Sequence, residues 1–298
     1  MEKEIHLAAT ITQEDLAAYC EHKNIDSATL LLKLYTAFLN VFFRKKADTL
    51  PKYGPYDHTI YLKEGTQALT FTLYSMSRDE ALKLCQYLDE NLSKEFIWAS
   101  RSDAAAPVLF VKKLRESLHF CVDYRGLNAI TVKNQYLLPL ISETLNCLSW
   151  ARIFTKLNII AAFNRLRIQE DDEALTAFCT CFSLFEYLVM PFGLCNGSAS
   201  FQNYINDTLQ KYLNDFCTMY LDDILIYSEI KAEHKIHVKR ILQKLHEADL
   251  QADIIKCAFH IKEILYLGLI IITKEVKMNS VKVSTIVKWL TLMNVTDV

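Results

Sequence analysis

Tyr220-Leu221-Asp222-Asp223 stands between two short apolar runs, Phe216-Cys217-Thr218-Met219 before it and Ile224-Leu225-Ile226-Tyr227 after it. Runs rich in aromatic and β-branched residues, joined by a few polar ones, read as a β-hairpin. The turn then carries two adjacent carboxylates at the tip of an otherwise buried element. Asp-Asp in a turn is most often a solvated loop, because aspartate favours turns for its own hydrogen-bonding reasons. Apolar flanks on both sides argue against that bland reading, since neighbouring acids repel and are costly beside a core. A cation offsets the cost, and Mg²⁺ suits it, taking oxygen ligands from one or two carboxylates plus substrate phosphates.

The rest of the chain sets bounds. Its 298 residues are 51% hydrophobic and 23% charged, an ordinary globular balance with ample material for a core. A net charge of −2 means that nucleic-acid contact has to come from local basic patches. Nine scattered cysteines suit a reducing compartment better than a disulfide framework. No stretch has the length of an apolar membrane span, and Met1-Glu2-Lys3-Glu4-Ile5-His6 lacks a signal core, so the expectation is an intracellular protein, cytoplasmic or nuclear.

Element by element, the pattern mixes helices and hairpins without regular alternation, which makes the class α+β. Residues 1 to about 50 read as a helical lead-in whose dense apolar content around Leu30 to Phe43 has to pack on something. Residues 57–62 read as a short strand. Ser77-Arg78-Asp79-Glu80 is a capping box opening a helix with Leu82, Cys85, Leu88, Leu92 and Phe96 on one face. Residues 107–113 and 117–124 read as paired strands around Leu114-Arg115-Glu116, and 151–158 as another strand. Ser198 is placed to cap a helix carrying Phe201, Ile205 and Leu209. Residues 232–248 form a further helix with Val238, Ile241, Leu242 and Leu245 at helical spacing, and strands return at 264–272. His234 and His237 are one turn apart with no acid or cysteine at ligand spacing, which favours a solvated face over a metal site.

Four stretches carry a family signature in order: Val122-Asp123-Tyr124-Arg125-Gly126-Leu127-Asn128, Phe185-Glu186-Tyr187-Leu188-Val189-Met190-Pro191-Phe192-Gly193-Leu194, Tyr220-Leu221-Asp222-Asp223 and Tyr266-Leu267-Gly268. Together they resemble the reverse transcriptase of gypsy-type LTR retrotransposons, fungal ones above all. The resemblance implies a right-hand polymerase fold: a spacer to residue 54, fingers over 55–150 and a palm over 151–275. Residues 276–298 would start a thumb that is cut short. It also implies RNA-directed DNA synthesis from deoxynucleoside triphosphates on an RNA or DNA template-primer, with two Mg²⁺ ions held by carboxylates.

Carried over by position, the resemblance makes Asp222 and Asp223 two metal-binding, catalytic carboxylates. The third belongs at the end of Phe154-Thr155-Lys156-Leu157, where this chain has Asn158. A neutral amide cannot bridge two cations, so the resemblance implies an impaired polymerase. The nucleotide-binding positions it marks are Lys112, Lys113, His119, Phe163, Gln202 and Lys256, and the primer grip is Tyr266, Leu267 and Gly268. His119 replaces an arginine, Leu175 and Cys179 replace basic residues, Ser198 replaces a proline and Ser183 a turn glycine. Basic contacts are lost while the apolar pattern survives. The alternative reading is a non-catalytic nucleic-acid-binding remnant of such a polymerase. Oligomeric state is left open.

Overall fold

A computed structural model describes residues 34–66, 73–112, 118–134, 136, 140–273, 275–278 and 283–284. Two 3₁₀ turns, Thr36–Phe42 and Arg44–Asp48, come first. Helix α1 (Arg78–Ser93) precedes strands β1 (Ile97–Ala99), β2 (Ala106–Lys112) and β3 (Leu118–Val122). Helices α2 (Arg125–Ile130) and α3 (Ile141–Leu148) lead to β4 (Ile153–Asn158). Then come β5 (Phe178–Cys179), β6 (Leu184–Tyr187), α4 (Gly197–Leu209), β7 (Cys217–Tyr220), β8 (Asp223–Ser228) and α5 (Lys231–Glu247). Strands β9 (Ala258–Ile261), β10 (Glu263–Tyr266), β11 (Leu269–Ile272) and β12 (Glu275–Met278) complete the described elements.

The sheet that matters for function has the order β7-β8-β4-β9. It is buried on both faces, which is why β8 reads as an unbroken apolar run. Alternation along β8 sends Ile224 and Ile226 into one core, and Leu225 and Tyr227 into another. The first core is built on α4 and α5. Val238, Ile241, Leu242 and Leu245 recur at helical spacing on α5, and Phe201, Ile205 and Leu209 do so on α4. Tyr35, Val41 and Phe42 fill the same cluster, so the apolar lead-in packs where the first core needs cover. On the other face, Leu148 at the end of α3 and Ile264, Tyr266 and Ile271 of the small β10-β11-β12 sheet pack on Phe154 and Leu225.

A second, five-stranded sheet has the order β1-β6-β5-β2-β3. Its β5 and β6 come from residues beyond 150 and reach β2 through a parallel pairing, Ala106 opposite Phe178. A division of the chain at residue 150 therefore does not coincide with a division between sheets. Helix α1 covers this sheet with the capping box intact: the Ser77 N–H donates to Glu80 Oε2 at 2.8 Å, and the Glu80 N–H donates to Ser77 Oγ at 3.3 Å.

Several expectations need correction. The buried face of α1 is Leu84, Leu88 and Asn91, while Leu82 and Leu92 are exposed; the stripe runs at i, i+4, i+7 from Leu84. Residues 57–62 form no strand and touch neighbours through single bridges, His58 with Ile168 and Leu62 with Thr131. Ser198 does not cap α4. Asn196 stands at the N-cap without a side-chain cap bond, because its amide holds the Val132 carbonyl and the Asn134 N–H instead. The Leu114-Arg115-Glu116 turn lies outside the described residues. Among them, no helix is long and apolar enough to cross a membrane.

Candidate active site

Strands β7 and β8 pair with Tyr220 opposite Asp223, which leaves Leu221 and Asp222 as a two-residue loop. Leu221 has φ +53°, a backbone sign that such loops ordinarily give to glycine. A branched side chain there is strained, so something must hold the turn. Gln202 on α4 does so. It has no exposed surface; its Oε1 accepts the Leu221 N–H at 3.0 Å, and its Nε2 donates to Asn206 Oδ1 at 2.8 Å. Gln202 therefore meets the site through the backbone of the turn.

Asn158 ends β4 directly opposite Asp223. Its Nδ2 donates to Asp222 Oδ2 and to Asp223 Oδ1, both at 3.0 Å. Ionised carboxylates only accept, so the amide has to present its nitrogen to them. Period-two alternation puts Lys156 on the same face of β4, and its Nζ lies 2.7 Å from Asp223 Oδ2. Asp223 thus carries a donor on each oxygen.

A cleft of about 960 Å³ opens beside this cluster. His119, Asn158, Phe163, Asp222 and Lys256 all line it, which brings five of the predicted positions together. Phe163 is half-buried and meets the exposed Phe192 ring edge-on, with centroids 4.7 Å apart. It also packs on the core beneath. Asp253 was missed from sequence. It is nearly buried, lines the same cleft, and its N–H donates to the Asn158 carbonyl at 2.8 Å, while Arg44 lies 3.8 Å from its carboxylate. Only its pairing with a residue 95 positions earlier sets it apart, and no local motif marks that.

Other predicted positions lie elsewhere. Lys112 is exposed at the end of β2, near Glu80 in the first turn of α1, and Lys113 is outside the described residues. Tyr266 is buried in the core under β4 with its hydroxyl unpartnered. Leu267 and Gly268, with φ +52° and +79°, form the tight loop between β10 and β11. There the glycine serves the turn itself. Leu175 packs against the core of the five-stranded sheet, and Cys179 lies in a small cluster with Ala105 and Ala177. Arg125 clamps Asp123 through Nε and an amino group at 2.8 and 2.7 Å, and this hydrogen bonding holds the Asp123 carboxyl down at about 2.

Whether the residues suit a pair of divalent ions can be judged from the donor set. Asp222 lines the cleft and Asp223 stands beside it, but an amide N–H2 and an ammonium already occupy three of their four oxygens. Among the described residues, no group of three or more acids, histidines and cysteines is placed to hold a metal. The site as built does not fit two Mg²⁺ ions.

A carboxylate-tipped hairpin beside an antiparallel strand, backed by two helices and facing a cleft, is the palm of a right-hand polymerase. Solved structures with that fold agree. The foamy viral protease-reverse transcriptase in complex with RNA/DNA hybrid matches 97% of this chain and 39% of its own, with a TM-score of 0.79 at 20% identity. The same viral protein in complex with dsDNA matches 98% of this chain and 61% of its own, also at 0.79 with 19% identity. Residues 109–271 match the family described as reverse transcriptase (RNA-dependent DNA polymerase), and the chain belongs to that family. The Transposon Tf2-3 and Tf2-4 polyproteins of Schizosaccharomyces pombe are each 32% identical over 246 residues, 82% of this chain. The chain spans 18% of the length of those relatives.

Proposed function

We propose that this reverse transcriptase domain of a gypsy-type retrotransposon polyprotein holds a primed RNA or DNA template in its cleft but transfers nucleotides very slowly. The observation that carries the reading is Asn158 in place of the third carboxylate, hydrogen-bonded to both remaining ones. A charge that should stabilise the transition state is absent, and at about 1.4 kcal/mol per tenfold a loss of several kcal/mol slows chemistry by orders of magnitude. Binding is a separate matter. The cleft, the Phe163–Phe192 ring contact and Lys256 on its lining support binding of sugar, base and phosphate. The solved neighbours bound to RNA/DNA hybrid and to dsDNA support a template-primer as the partner.

The test compares the protein with Asn158→Asp. Anisotropy of a labelled primed RNA should give similar affinities for both. Primer extension with deoxynucleoside triphosphates and Mg²⁺ should be seen only with the variant. Comparable extension by the unaltered protein overturns the claim of impaired chemistry, and loss of template binding in both overturns the claim of a retained cleft.

A further inference from the structure

We infer that Lys156 and Asn158 form a built-in cation substitute, which offsets the charge of the Asp222–Asp223 pair so that the site is complete without a divalent ion. The inference rests on the proposed function's placing of these two aspartates and Asn158 at the polymerase centre, and adds Lys156.

Two adjacent carboxylates on a turn above a closed core need positive potential nearby. Three contacts supply it here. The two N–H bonds of the Asn158 amide diverge to one oxygen of each aspartate, both at 3.0 Å. The Lys156 ammonium takes the second oxygen of Asp223 at 2.7 Å. Sheet geometry makes this arrangement specific. Asn158 is the cross-strand partner of Asp223, whereas Lys156 is opposite Leu225 and so reaches Asp223 on the diagonal. Both side chains are about four-fifths shielded at the ion pair, with 21% of Lys156 and 24% of Asp223 exposed, so water screens it only in part. The substitute cancels one of the two negative charges and spreads the other across a hydrogen-bonded pair. A divalent ion has to displace a charged donor already seated at contact distance. Asparagine in place of aspartate is therefore more than a lost ligand: it turns a group that would repel the pair into one that binds both members.

The measurement is Mn²⁺ binding to the full chain, followed by water-proton relaxation, with thermal unfolding in chelator and in Mn²⁺ as a second readout. The unaltered protein should unfold at the same temperature in both. Lys156→Met should unfold earlier in chelator, recover in Mn²⁺, and bind Mn²⁺ at least about tenfold more tightly than the unaltered protein. Lys156→Arg keeps the charge and should stay indifferent to Mn²⁺. Adding Asp223→Asn to Lys156→Met should abolish the gain, which locates it at this pair. Equal Mn²⁺ affinity in the unaltered protein and Lys156→Met overturns the inference, as does Mn²⁺-dependent stabilisation of the unaltered protein. If Lys156→Met does not fold, Lys156→Gln gives the same comparison with the hydrogen bond kept. None of these readouts depends on extension or template binding, so failure here and failure of the proposed function are told apart.

Discussion

Strand β8 ends in a polar cluster at each side of the sheet, and the two clusters are satisfied by opposite means. At its start, Asp223 takes an amide and an ammonium at the rim of the cleft. At its finish, Ser228 Oγ lies 2.8 Å from His234 Nδ1 and 2.8 Å from His237 Nδ1. The other nitrogen of His234 is 2.8 Å from Thr155 Oγ1, and the His260 ring stands edge-on to it at 5.1 Å. His260 in turn shares a 2.8 Å hydrogen bond with Tyr35. The rim cluster uses charge where Asp222 is exposed and Asp223 only partly buried, within reach of water. The interior cluster uses neutral imidazoles and hydroxyls because His234 has no exposed surface, and burial pushes its pKa down to about 3. His234 thus corrects the solvated face expected of it; His237, beside it, is half-buried. Depth decides which kind of polar network one strand can carry.

The largest predicted effect removes the interior network. His234→Ala leaves the Thr155 hydroxyl without its ring partner and Ser228 with His237 alone, and opens a cavity, which should cost about 3–4 kcal/mol by urea unfolding. Asn158→Ala at the rim, where water can reach the aspartates, should cost only about 1–2 kcal/mol. Equal costs would break the comparison.

Acid should separate the two ends next. His234 and His58, lowered by burial to about 3 and about 4, stay neutral in the folded chain while the unfolded chain protonates near 6.5. Their contribution is complete above pH 6.5 and is lost as the pH falls toward the folded values. The slope is at most about 1.4 kcal/mol per pH unit for each. Burial also lowers His237, which faces Arg240, Asp215 and Glu233, and His260, which faces Lys231 and Lys235, so both steepen the fall. Denaturant midpoints from pH 7 to 5 should show the loss, and His234→Gln should flatten it. A slope unchanged in that variant would place the acid sensitivity elsewhere.

How much of this was legible follows from what each feature depends on. The β7–β8 hairpin, strand β4, the α5 stripe and the Ser77 capping box are encoded in adjacent residues, through alternation, helical spacing or a four-residue motif. The carboxylate pair and Asn158 were readable through the family resemblance, and their register confirms that they meet. What failed depends on distant partners. His234 is buried because Thr155 lies 79 positions away in sequence. Asp253 joins the site through a backbone bond to Asn158, and β5 joins its sheet by a parallel pairing to β2. Residues 57–62 have strand-like composition but only single bridging partners, and composition does not report a missing neighbour.

Smaller effects test what holds the rim in place. Gln202→Ala removes the buried acceptor of the Leu221 N–H and should cost about 2 kcal/mol, with looser hydrogen-exchange protection at that amide. Leu221→Gly should do least. Glycine relieves a left-handed penalty of about 1–2 kcal/mol. Against that stand about 1 kcal/mol of extra unfolded-state freedom and the loss of a half-buried side chain, so the net shift should stay within about 0.5 kcal/mol. A clear gain in stability would mean that the turn stores strain which Gln202 restrains. Near-neutrality together with a large Gln202→Ala cost would mean that the carboxylates are aimed from behind, by a buried amide on α4, whichever residue occupies the turn.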